Sequence, residues 1–88
     1  MKITEIKVHP VEEGRLRAFV TIVIEGCLVI RDIKIIFGPK GLFVAMPSKK
    51  RKDGQYKDTV HPVNKETRLM IESLIFEEYG AQVSGMAA

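Results

Sequence analysis

At 88 residues the chain can form one small domain, near the size at which a lone hydrophobic core is only just sufficient. Hydrophobic residues at 45% and charged residues at 28% lie in the ordinary globular range and suggest neither a disordered chain nor a membrane protein, and the single cysteine excludes an internal disulfide or a thiol-based structural zinc site. The formal net charge of +3 is modest, so its distribution along the chain carries more information than its size.

With no tryptophan, four phenylalanines and two tyrosines, the interior must be mostly aliphatic. Oligomerisation is the remaining simple source of stability for so small a chain. The start MKITEIKV lacks an apolar signal core, and no run approaches the ~18 apolar residues of a membrane span. A free cysteine suits a reducing compartment, so a cytoplasmic protein without membrane association is expected.

Residues 2–9 (KITEIKVH) alternate imperfectly and are rich in β-branched side chains, which suits an edge or half-buried strand. Pro10, lacking an N–H for a ladder, is expected to close it, and VEEGR at 11–15 reads as a turn around Gly14. Residues 16–25 (LRAFVTIVIE) alternate most clearly. Leu16, Ala18, Val20, Ile22 and Ile24 share the face predicted as core, with Arg17, Phe19, Thr21, Val23 and Glu25 on the other.

Gly26 and Cys27 break this run, with Cys27 read as a small buried or half-buried hydrophobe. LVIRDIKIIF at 28–37 predicts a second long strand of mixed parity. Either it is apolar on both faces at its ends, or a bulge near Arg31 and Asp32 shifts the register. Gly38-Pro39-Lys40-Gly41 is a strong turn signal, after which residues 42–46 (LFVAM) are predicted to pair back.

Pro47 ends that strand and a dense basic run begins. Residues 49–57 carry five cations, Lys49, Lys50, Arg51, Lys52 and Lys57, against one acid, Asp53. This local excess is larger than that of the whole chain. Such a patch is the electrostatic footprint of a polyanion-binding surface, and equally that of a solvated loop. Asp53-Gly54 is a hairpin-turn dipeptide, so the cations should stand on a loop before a last strand, QYKDTVH at 55–61.

Asn64 is a good N-cap for a helix from Lys65 to about Tyr79, with Gly80 as its C-cap. Its early amides, near Thr67 and Arg68, are expected to point out of the helix start, where an anion is favoured. Met70, Ile71, Leu74 and Ile75 form a stripe suited to covering a sheet. Leu69 and Phe76 form a second apolar line, read either as a subunit contact or as the margin of one broad core stripe. Five strand segments and one helix predict an α+β fold, a small antiparallel sheet of about five strands with a C-terminal α-helix, in a domain spanning residues 1–83 with a short flexible tail at 84–88.

Catalytic chemistry finds no support. His9 and His61 each precede a proline and lie far apart, no His, Cys or carboxylate group has metal-ligand spacing, and neither a nucleophile elbow nor a phosphate-binding glycine loop is present. No cofactor, metal or small-molecule substrate is expected, and the protein is not read as an enzyme.

MKITEIKVHP at the start, the central IFGPKGLFVAMPSKK and the later GQYKDTVHPVNKETRLMIE resemble the SpoVG family, the stage V sporulation protein G or septation regulator of bacteria. The resemblance extends to about residue 83, and FVAMPSKK followed by HP and ETR is its most specific part; the tail VSGMAA lies outside it. It implies a small α+β domain, a homodimer, and a nucleic-acid-binding regulatory role linked to septum formation and sporulation. It also implies nucleic-acid contact by the segment between sheet and helix and by the helix start, here Ser48 to Lys52 and Lys65 to Arg68. Lysines would meet phosphates as point charges, whereas Arg51 and Arg68 can make forked contacts. Tyr56 can stack on an unpaired base or pack locally.

The leading expectation is therefore a homodimeric DNA- or RNA-binding regulator. Its nucleic-acid-binding residues are Ser48, Lys49, Lys50, Arg51, Lys52, Lys57, Lys65 and Arg68, and its dimer contact involves Leu69 and Phe76. The alternative is a protein-interaction adaptor using an exposed strand edge or helix face, without direct nucleic-acid binding.

Overall fold

A computed structural model describes residues 2–87, and the side chains of residues 2–83. Its elements in chain order are β1 (Ile3–Glu13), β2 (Leu16–Ile24), β3 (Leu28–Gly38), β4 (Gly41–Ala45), β5 (Ser48–Lys50), β6 (Tyr56–Asp58) and α1 (Lys65–Ala87). The fold is α+β, as predicted. The strands are divided differently, however: β1 to β4 form one antiparallel meander in sequence order, and β5 and β6 form a separate two-stranded ribbon.

The alternation of β2 sets the inner face of the meander. Ala18, Val20, Ile22 and Ile24 are buried, and Leu16 is half-buried where the register slips at the strand's start. They meet Val8 of β1, Ile33 and Ile35 of β3, Val44 of β4 and Met46, and Ile71 and Ile75 of α1 close the layer. The buried set holds no aromatic residue, in keeping with the aliphatic interior expected from composition.

In β3 the bulge is the alternative that holds. Val20 pairs with Ile33 and Ile22 with Ile30, so Thr21 alone faces both Arg31 and Asp32. Asp32 takes φ +63° there, a left-handed conformation that the short polar side chain of aspartate tolerates better than most. The extra residue returns Ile33 and Ile35 to the inner face, which reconciles the mixed parity of the segment.

Pro10 does not close β1. It pairs with Ala18, and the strand continues to Glu13. β1 is an edge strand, and an edge position leaves room for a residue with no N–H to donate. At the β2–β3 turn Glu25 and Gly26 both have positive φ, and the Cys27 N–H donates to the Ile24 carbonyl at 3.0 Å. This lifts Cys27 out of the core, and it is exposed rather than buried or half-buried.

The helix begins where predicted. The Thr67 N–H donates to Asn64 Oδ1 at 2.8 Å, which satisfies one of the orphan amides of the first turn. It does not end at Gly80 but continues through Ala87. Gly80 has no positive φ, so it is not a left-handed cap. The backbone of the expected tail is thus helical to Ala87, while the side chains at 84–88 lie outside the described residues.

Candidate nucleic-acid interface

The basic run is built into the β5–β6 ribbon. Ser48 pairs with Asp58, Lys49 with Lys57 and Lys50 with Tyr56. Ser48, Lys49 and Lys50 therefore stand on a strand and not on a loop, which corrects the sequence reading; Arg51 and Lys52 occupy the connection. All of residues 48–61 are exposed. The ribbon projects its side chains into solvent because it packs no apolar face on the core.

The turn at its tip is held by backbone bonds. Arg51 N–H donates to the Gln55 carbonyl at 2.7 Å and Gly54 N–H to the Arg51 carbonyl at 3.0 Å. Gln55 N–H donates to Asp53 Oδ1 at 3.0 Å, an Asx-type turn. The only acid within the cationic run is thus engaged by the backbone. At the base of the ribbon, the Thr59 N–H and Oγ1 both donate to the Pro47 carbonyl, at 2.7 and 3.1 Å. The ribbon is clamped at both ends.

Five cations, Lys49, Lys50, Arg51, Lys52 and Lys57, line one open concavity of about 830 Å³, which Asp53, Asp58 and Thr59 line with them. Among the described residues the one ion pair is Lys7 with Glu5 at 3.6 Å, away on β1. No carboxylate therefore neutralises the cluster through a direct pair. Lys49 and Lys57 are directly opposed, and like charges at such a position destabilise a ladder.

The helix start is a less open site than the ribbon. Lys65 is exposed, but Arg68 is half-buried and its N–H is used in a 3.2 Å bond to the Asn64 carbonyl. Glu66 already places a negative charge in the first turn, where the helix dipole favours it. Val60, His61 and Pro62 connect the two regions, sharing a small cleft of about 100 Å³ with Met46, Thr67 and Ile71. The segment joining ribbon and helix thus lines a cleft with residues of β2, β3 and α1.

Leu69 and Phe76 differ in environment. Leu69 is 52% exposed, whereas Phe76 is half-buried and packs against the core. Phe76 also borders an apolar cleft with Leu42, Tyr79 and Val83. Sequence reading missed one aromatic contact altogether: Arg17, in the β2 register shift, lies over the Phe37 ring at 5.3 Å from its centroid. Nothing in a linear pattern announces that pair, because it joins residues of two different strands.

Among the described residues no group of three or more His, Cys, Asp or Glu side chains is placed to hold a metal ion, and no helix is long and apolar enough to cross a membrane.

The sequence matches the SpoVG family over residues 1–81. A protein of Bdellovibrio bacteriovorus named "Putative septation protein SpoVG" is 60% identical over 86 residues, covering 98% of this chain and 80% of the relative. A protein of that name from Myxococcus xanthus is 57% identical over 79 residues, covering 90% and 80%. Another, from Agathobacter rectalis, is 46% identical over 87 residues, covering 98% and 100%. Identity of this extent, spread over the meander, the basic ribbon and the capped helix together, makes the chain a member of the SpoVG family.

Proposed function

We propose that the protein is a cytoplasmic nucleic-acid-binding regulator that acts as a homodimer in processes linked to septum formation and sporulation. The observation that carries the binding role is the unneutralised pair Lys49 and Lys57, opposed across a ribbon whose tip adds Arg51 and Lys52. A fold gains no stability from setting two lysines face to face. A phosphate backbone brought against them removes the repulsion and releases counterions.

The ribbon supplies the main contact through Lys49, Lys50, Arg51, Lys52 and Lys57, with Ser48 as a neutral donor. Lys65 and Arg68 extend it at the helix start. Arg51, at the exposed tip, is placed for a forked contact to a phosphate or a guanine edge. The dimer role is supported by Leu69, exposed on α1, and by the apolar cleft bordered by Phe76. Two ribbons in one particle raise avidity beyond that of a single basic patch. The exposed Cys27 thiol suits a reducing cytoplasm.

Binding of labelled duplex DNA, single-stranded DNA and RNA at low salt tests the reading. Wild type is expected to bind at least one of them, and the Lys49, Lys50, Arg51, Lys52 to alanine variant to lose most of that affinity. Absence of all binding at low salt would overturn it and favour an adaptor that contacts a protein through a strand edge or helix face.

A further inference from the structure

The ribbon carries a feature that charge does not account for. Tyr56 is 71% exposed, the most exposed aromatic side chain of the protein, and it stands outside the buried core cluster. It lies directly opposite Lys50, so ring and ammonium emerge on the same face of the ribbon. Lys49 and Lys57 emerge on the other face. The ring adjoins the tip, where two backbone hydrogen bonds at 2.7 and 3.0 Å and one from the Gln55 N–H to Asp53 Oδ1 at 3.0 Å hold Arg51 to Gln55 in one arrangement. Tyr56 is therefore a large flat surface, presented to solvent on a fixed support with the Lys50 cation directly across from it and Asp58 two residues along the same face.

We infer that Tyr56 is a base-stacking residue and that the ligand of the ribbon is a single-stranded nucleic acid, with unpaired bases on a phosphate backbone. This rests on the reading of the ribbon as a phosphate-binding surface and gives that surface a ligand class. A closed duplex keeps its base faces stacked inside and offers grooves only base edges, so an exposed ring gains little from it. An unpaired base offers a face that covers the ring, and every base has one. Placing a base on Tyr56 brings its flanking phosphates to Lys50 and Arg51, while Lys49 and Lys57 across the ribbon hold the strand as it continues. Recognition of this kind is tolerant of sequence and sensitive to strandedness.

The test is a fluorescence anisotropy titration of wild type, Tyr56→Ala and Tyr56→Phe against end-labelled 20-nucleotide single-stranded DNA, RNA of the same sequence, and the matching DNA duplex. Thermal melting of each variant verifies the fold, which an exposed side chain leaves intact. Wild type is expected to bind single strands more tightly than duplex. Tyr56→Ala is expected to lose about tenfold on single strands, equivalent to about 1.4 kcal/mol, and to change duplex affinity less than twofold. Tyr56→Phe, which retains the ring, is expected to stay within about twofold of wild type throughout. The DNA and RNA arms identify which single strand is preferred. If Tyr56→Ala matches wild type on single strands, or weakens duplex equally, the stacking assignment is overturned while the charge reading stands. If wild type binds none of the three at low salt, both readings fall.

Discussion

Lys49 on β5 and Lys57 on β6 stand directly opposite each other across the ribbon, and neither takes part in an ion pair among the described residues. An opposite-charge pair at such a position contributes about 0.2–1 kcal/mol, and a like-charge pair opposes folding. Lys57→Glu is accordingly expected to leave the melting temperature unchanged or raise it slightly while weakening nucleic-acid binding. Thermal melting and anisotropy on the same sample separate the two effects. A variant that melts higher and still binds as wild type does would remove Lys57 from the interface.

Gly80 lies inside α1, and a Cβ built there meets nothing within 4 Å. Gly80→Ala should stabilise the protein by about 1 kcal/mol through helix propensity, seen as a melting temperature higher by about 4–8 °C. A helix that ended at Gly80 with a left-handed cap would respond in the opposite sense.

Asn64 holds the first turn through its 2.8 Å bond from the Thr67 N–H. Asn64→Ala should cost about 1 kcal/mol, while Asn64→Asp or Asn64→Ser should retain most of the stability. Chemical denaturation measures the difference. Equal stability of the alanine and serine variants would show that the cap contributes nothing.

Asp32 marks the β3 bulge with its φ of +63°. Asp32→Gly should be close to neutral, whereas Asp32→Val should destabilise by about 1–2 kcal/mol, because a β-branched side chain resists the left-handed region. A valine variant as stable as wild type would mean that the strand relaxes to a register without the bulge.

Leu69 is exposed on α1, and the proposed homodimer would bury it. Leu69→Glu should shift the protein toward monomer in analytical ultracentrifugation without lowering the stability of the fold. A wild-type protein that is monomeric at all concentrations would contradict that proposal.

The sheet was legible where the pattern depends on a strand's own residues. The alternation in β2 named the inner face, and the mixed parity of β3 pointed to Arg31 and Asp32, although choosing the bulge required knowing that Thr21 faces both. Features that depend on neighbours were not legible. Pro10 continues β1 because no further strand lies beyond that edge. Gly80 continues α1 because Ala81 and Gln82 favour a helix and no proline stands between Gly80 and Ala87. Leu69 and Phe76 share one side of the helix, yet Phe76 lies where Leu42 of β4 borders it and Leu69 is left exposed. In the candidate site, the charges and the Asp53-Gly54 turn were readable, whereas the registered opposition of Lys49 to Lys57 and of Lys50 to Tyr56 needed the ribbon itself.

The most direct measurement of the central claim is the salt dependence of nucleic-acid affinity for wild type and for the Lys49, Lys50, Arg51, Lys52 to alanine variant. Each phosphate contact contributes about 0.7 to the slope of log affinity against log salt for single strands and about 0.9 for duplex. Wild type should show a steep negative slope, and the variant a shallower one by roughly 2–4 contacts' worth, with weaker affinity at low salt. Identical slopes and affinities for the two proteins would contradict the assignment of the β5–β6 ribbon as the nucleic-acid interface.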